Sequence, residues 1–301
     1  MWFRNLLPYR LDGSWTMSAG DFEKKLASRT LQPCTGLTAQ TQGWVSPRGD
    51  DQPLVYGQGR ELLFAFGTET KLLPASVVRD ATKARAAQTE KRLGFRPGKK
   101  QLREIKEQVH AELLPKAFAK RSATRAWINP EAGWLVVDSA SAKRGDELTT
   151  LLRDTLGECP FFPLDTAQSP MSCMTAWLSK GDGPGRFDLD QDCEMKSGGD
   201  DPAAVRFARH GLEGDDVRRH VKDGKSVTKL GLVWNDRVRL VLADPGVVRR
   251  VRFEMIEQDR VENEPQGDAD ERFDADFALM SGELTKLLGD LLEALGGAAA
   301  R

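Results

Sequence analysis

Apolar residues along this chain recur at two spacings, and the spacings sort it into helices and strands. Residues 75–93 and 99–114 contain no Pro or Gly, and the second stretch sets Leu102, Ile105, Val109 and Leu113 three to four apart, on one face of a helix. Pro74 stands where a first helical turn tolerates proline, Gly94 where a helix closes, and Arg96-Pro97-Gly98 supplies a turn, so the pattern predicts a helical hairpin. Shorter helices are expected over 21–31, where Phe22, Leu26 and Ala27 share a face, and over 146–156, through Leu148, Leu151, Leu152 and Leu156. A last amphipathic helix over 276–295 aligns Leu284, Leu287, Leu288, Leu291 and Leu295 and stops at Gly296-Gly297.

Strands are expected over 2–11, 61–66 and 71–73, the last two separated by a turn at Gly67-Thr68. Two more, 124–128 and 134–138, flank a five-residue hairpin loop of turn formers at 129–133. Segments 227–234, 237–243 and 247–253 read as an antiparallel meander with turns at Asn235-Asp236 and Asp244-Pro245-Gly246. Residues 181–185 and 197–202 read as loops, and the acidic 257–271 as an exposed segment. The mixture predicts an α+β fold with mixed and antiparallel sheets and a protruding basic helical hairpin. With 301 residues the chain exceeds one small core. The division expected is a discontinuous central domain over 1–73 and 124–165, a basic helical arm over 74–123, and a C-terminal α+β domain over 166–301.

Charge changes this picture more than overall composition does. The net charge of −1 conceals a stretch, 71–125, with fifteen Lys/Arg against five Asp/Glu, a local +10. Residues 254–293 carry thirteen acids and three bases, a local −10, and 206–252 carry twelve bases against six acids. Concentrated positive potential attracts polyanions. No stretch approaches the ~20 apolar residues that span a bilayer, and the first residues lack the apolar core of a secretory signal. A cytoplasmic location is expected. Cys34, Cys159, Cys173 and Cys193 stand far apart without a C-x-x-C pair, so they are expected to be reduced and structural.

Catalytic motifs fail on inspection. Gly224-Lys225-Ser226 resembles the end of a phosphate-binding loop, but Arg219 replaces the required glycine. Gly57-Gln58-Gly59 lacks the third glycine of a dinucleotide fingerprint. The run from Asp188 to Asp192 begins like a calcium loop, then puts Cys193 at the glycine position and Gly199 at that of the bidentate glutamate. Asp274 and Asp276 would share a face on a strand and hold Mg²⁺ for phosphodiester cleavage; read as helix, they become an N-cap and a salt-bridge partner. The residues favour no enzyme, no cofactor and no metal. The strongest feature left is cationic: Arg79 and Lys83 on the first hairpin helix, more bases on the second, and Lys116, Lys120, Arg121 and Arg125 at the exit. The candidate DNA surface also takes in Lys143, Lys225 and Lys229. Nothing in the chain supplies a base-reading motif, so contacts should follow the duplex backbone with little sequence preference.

Ordered blocks of sequence resemble the bacterial recombination-associated RdgC family. They are Trp2-Phe3-Arg4-Asn5-Leu6, 24–28 with Pro33-Cys34, Gly43-Trp44-Val45, 113–118, 137–143, Val227-Thr228-Lys229-Leu230, and 272–277 with Gly282-Glu283-Leu284. They run in the family's order over essentially the whole chain. The resemblance implies a non-enzymatic, nucleoid-associated protein that closes as a ring-shaped homodimer around double-stranded DNA. It also implies restraint of RecA-promoted recombination and a role at replication forks. Phe118 falls where the family has an apolar plug in a dimer contact, and Arg209 at the opposing position. The segment around Arg209 departs from the family pattern at Phe207 and His210. Two other readings stay open: a metal-dependent nuclease using Asp274 and Asp276, and a protein that binds recombinase directly.

Overall fold

The computed structural model describes residues 2–199, 203–254 and 268–299. The chain is α+β with antiparallel sheets, and it divides into two compact units. The first comprises residues 1–18, 57–63 and 126–301, the second 19–56 and 64–125.

In the first unit, β1 (Leu7–Leu11) lies between β6 (Trp134–Val137) and β7 (Phe161–Pro163), both antiparallel to it. The residues before β1 are held by a side chain, because Asp138 Oδ1 accepts the N–H groups of Arg4 and Asn5, both at 3.0 Å. The expected strand 2–11 therefore starts later, at Leu7. α4 (Ala142–Leu156) begins a turn earlier than its leucines indicate and buries Leu148 and Leu152.

A second sheet in this unit has the order β12-β11-β10-β8-β9. The expected meander forms one side of it: β10 (Ser226–Trp234), β11 (Val238–Ala243) and β12 (Val247–Phe253). β8 (Phe187–Lys196) and β9 (Ala204–Phe207), where no strand was expected, complete it. β8 alternates over its C-terminal half. Phe187, Cys193 and Met195 are buried, while Asp188, Asp190, Asp192 and Glu194 take the positions between. Of the expected loop 197–202, residues 200–202 lie outside the described residues. α5 (Pro170–Lys180) packs on β10 and ends at Gly181, and α6 (Asp215–Lys222) contacts α5.

The terminal helix α7 (Ala269–Ala294) starts earlier than the 276–295 expected. Asp268 caps it, its carboxylate accepting the N–H groups of Asp270 and Glu271, while Glu271 reaches back to Asp268 N. The acids of this first turn suit the positive end of the helix dipole. Residues 257–267 of the expected acidic segment lie outside the described residues. The leucine stripe is core: Leu284, Leu287, Leu288, Leu291 and Leu295 are all buried. Polar ties fix the helix, with Trp234 Nε1 donating to Asp290 Oδ2 at 2.8 Å and Asn129 Nδ2 to Thr285 Oγ1 at 3.1 Å.

In the second unit, α1 (Ala19–Ala27) buries Phe22 and Leu26 and ends four residues before the predicted 31, because Thr30 already bridges Trp44. β2 (Gln40–Val45) pairs with β4 (Glu61–Lys71), and β4 also pairs with β3 (Val55–Gln58) and β5 (Ala119–Asn129). The turn expected at Gly67-Thr68 does not form; β4 runs through it. Gly67 faces Gly43 across the sheet, and a Cβ on Gly67 would come within 2.5 Å of Val45 Cγ1. A Cβ on Gly43 would stand 2.4 Å from Leu31 N. Both glycines serve close approach rather than a bend. Phe22, Trp44, Phe64 and Phe66 form the aromatic core here, with edge-on ring contacts of 5.2–6.5 Å.

α2 (Ala75–Leu93) and α3 (Lys99–Leu113) follow, joined through Gly94 in the left-handed conformation. They meet in a small apolar cluster of Val78, Ile105 and Val109, flanked by Leu73, Ala81, Ala86 and Leu113. Leu102, which the periodicity puts on this stripe, is instead exposed. Arg85 clamps the pair with two hydrogen bonds to Glu112, of 2.6 and 2.8 Å. A turn of 3₁₀ helix at Leu114–Lys116 leads into β5.

Candidate nucleic-acid interface

The small apolar seam between α2 and α3 leaves most of both helix surfaces in solvent, and those surfaces are cationic. Lys83, Lys91 and Arg92 on α2, with Lys99, Lys100 and Lys106 on α3, are exposed and have no ion-pair partner among the described residues. Lys116 in the 3₁₀ turn and Lys120 beyond it are likewise exposed; Lys120 has no ion pair among the described residues, while Lys116 acts on Glu112 through its charge alone. Arg79 has only its neighbour Asp80, at 3.7 Å with both side chains largely in solvent, a contact of little strength. Phe118 sits among these groups with 86 % of its surface exposed. Its carbonyl accepts Leu72 N at 2.7 Å, so the backbone is fixed while the ring faces solvent.

Two other predicted bases in this unit have internal work. Arg121 Nε donates to Glu69 Oε2 at 2.5 Å, and Glu69 also accepts Cys34 N at 2.7 Å. The Arg121 hydrogen bond, then that of Cys34, holds the Glu69 carboxyl below its ordinary value. Arg125 Nε donates to Pro47 O at 2.9 Å.

The remaining predicted residues fall in the first unit, each with a polar neighbour there. Lys229 Nζ lies 2.8 Å from Glu194 Oε2, and this hydrogen bond draws the Glu194 carboxyl below the usual carboxylate range. Lys225 Nζ is 3.4 Å from His220 Nδ1. Lys143, on α4, is exposed and 4.0 Å from Glu147. Arg209 N donates to Asp192 Oδ1 at 3.2 Å, with Arg209 in the left-handed region at φ 54°. Within the basic stretch 206–252, acids of β8 also engage two arginines: Arg239 meets Asp190 at 2.9 Å, and Arg250 meets Asp192 at 2.7 Å. In the sequence, Asp188–Asp192 reads only as a failed calcium loop, and this pairing, which acts across the sheet, is missed.

Asp274 and Asp276 lie inside α7, not on a strand. Two steps of ~100° put them on different sides of the helix, so the shared face that suggested Mg²⁺ does not exist. The N-cap assigned to this pair is Asp268. Among the described residues, no group of three His, Cys, Asp or Glu converges as a cation site. The cysteines are free thiols, Cys173 and Cys193 buried and Cys34 and Cys159 half-buried. No helix among the described residues is long and apolar enough to cross a membrane.

These features define an α+β protein whose uncompensated positive charge is concentrated on a pair of helices and the strand that follows. A sequence model of the family described as "Putative exonuclease, RdgC" matches residues 1–298, and the chain belongs to that RdgC family. It is 48 % identical over 300 residues to the recombination-associated protein RdgC of Cupriavidus pinatubonensis, covering 99 % of each chain. It is 46 % identical over 297 residues to that of Cupriavidus necator, covering 99 % of each. With that of Herminiimonas arsenicoxydans it shares 43 % over 301 residues, the full length of both.

Proposed function

We propose that this chain binds double-stranded DNA without sequence preference, encircles it as a homodimeric ring, and so restrains RecA-promoted recombination, with a role at replication forks and a place on the nucleoid. One observation carries the reading: the exposed lysines of α2, α3 and the start of β5 have no ion-pair partner among the described residues. Unrelieved repulsion on such a surface is removed when phosphates replace mobile counterions. Surfaces that carry balanced ion pairs, such as the Lys229–Glu194 region, gain far less. The large exposed ring of Phe118 beside these bases is suited to an apolar contact with a second copy.

Charge reversal tests the reading. Lys83→Glu and Lys120→Glu should each weaken binding to any duplex by a similar factor and lower the salt slope by about one, whereas Lys229→Ala should have little effect. Wild-type affinity in both reversal variants would remove this surface from DNA.

A second reading has one specific support, the word exonuclease in the family's description. A metal-dependent nuclease would degrade linear duplex in Mg²⁺ and lose that activity in Asp274→Asn. The placement of Asp274 and Asp276 on different sides of α7 weighs against these two as its metal ligands.

A further inference from the structure

In the first unit, a cavity of about 230 Å³ opens on the five-stranded sheet, walled by β8, β9, β10 and β12 with Asn5 and Ala140 at one side. Its walls are unusual because sequence neighbours line it together. Arg249 and Arg250 both do so, although adjacent strand residues normally face opposite sides. A β-bulge explains this: Arg252 pairs with Arg239 and Arg249 with Val241, three steps on β12 against two on β11, and Arg250 takes φ 54°. β8 is bulged as well, with four steps between Leu189 and Cys193 against two on β10, so Asp192, Cys193 and Glu194 share the wall. Strained, re-aimed residues of this kind cluster at ligand sites.

The charges there do not cancel. Arg250 is taken by Asp192 at 2.7 Å and Lys229 by Glu194 at 2.8 Å. Arg206, exposed on the edge strand β9, has no acidic partner among the described residues. Arg249 gives one Nη2 hydrogen bond to Ala140 O at 3.2 Å, while its Nε is buried without an acceptor. A buried N–H left unmade carries its full desolvation penalty. Two guanidinium groups therefore remain to be satisfied by an anion, and their planar forks match phosphate. The volume is that of roughly eight waters, more than one phosphate needs and below the ~300 Å³ at which whole small-molecule pockets begin. A phosphate and its sugar fit; a base would lie outside, where half-buried Phe207, whose ring already meets those of His210 and His220 at 5.3 and 5.9 Å, is the aromatic on the same wall.

We propose that this cavity binds the phosphate monoester of a nucleotide, with Arg206 and Arg249 on the phosphate and Phe207 beside the base. The choice of a nucleotide rests on the DNA-binding reading. The phosphate itself comes from a free nucleotide or from the 5′ end of a strand, and the test separates the two. The full chain is titrated with two duplexes of one sequence, ending in 5′-phosphates or 5′-hydroxyls, and with thymidine 5′-monophosphate alone. If ends are the source, the phosphorylated duplex binds roughly tenfold more tightly, the effect of one charge-assisted hydrogen bond. Arg206→Gln, at an exposed position, then abolishes that increment and leaves the hydroxyl duplex unaffected. Arg249→Lys, which keeps the charge and loses the fork, also reduces it. Binding of the monophosphate, lost in Arg206→Gln without any end preference, assigns the site to free nucleotides. Equal affinity for both duplexes and no binding of the monophosphate overturns the site while leaving duplex binding intact. So does an Arg206→Gln variant that alters the dimer mass but not phosphate binding, since the cavity would then belong to a contact between copies. Failure of the wild type to bind either duplex defeats the DNA reading instead, and the monophosphate titration still decides the site.

Discussion

Single residues divide the basic side chains into those held internally and those left to solvent. Arg121 belongs to the first kind. Its hydrogen bond keeps the Glu69 carboxyl below its ordinary value of 4.5, so the folded state binds that proton more weakly than the unfolded chain does. The resulting stability is present above the ordinary glutamate value and is lost as pH falls through the lower, folded one. Arg121→Ala should therefore lower stability at neutral pH, and the two proteins should converge in strong acid. Urea midpoints measured across the acid range check this; parallel curves would show that Glu69 draws nothing from Arg121. Lys83 and Lys120 have no such partner among the described residues, which is why they can serve an external one.

Elements show how far the sequence could be read. Helices α3, α4 and α7 and the meander β10–β12 announce themselves because their periodicity is local and long, and α2 by its freedom from Pro and Gly after Pro74. β8 does not, because aspartates are poor strand residues on their own. What makes them tolerable is Arg239, Arg250 and Lys229, which arrive from strands further along the chain. Gly67 misleads for a similar reason, as its partner Gly43 is set by pairing rather than by neighbours. The same blindness touches the candidate site. The charge run 71–125 is visible in sequence, but which of its bases are already engaged depends on Glu69, Glu112 and Pro47 O in the fold. Among the elements, α7 is structural: Leu287→Ala, at a fully buried position, should cost about 2–5 kcal/mol. Denaturant unfolding would show it, and a change below about 1 kcal/mol would mean that the stripe is not core.

At the scale of the whole molecule, the proposed ring predicts that DNA affinity and self-association move together. Phe118→Ala removes a side chain that is 86 % exposed and so should leave the unfolding midpoint within about 0.5 kcal/mol of wild type. The dimer should weaken in sedimentation, and retention of duplex should fall with it; an unchanged dimer would rule out Phe118 as a contact. The central claim, phosphate recognition by unpaired bases, is tested most directly by the affinity of the full chain for two unrelated duplexes across a range of salt. The account predicts indistinguishable affinities for the two sequences and a log–log slope near −5 to −9, the signature of roughly six to ten neutralised phosphates. A slope near zero, or a strong preference for one sequence, would contradict it.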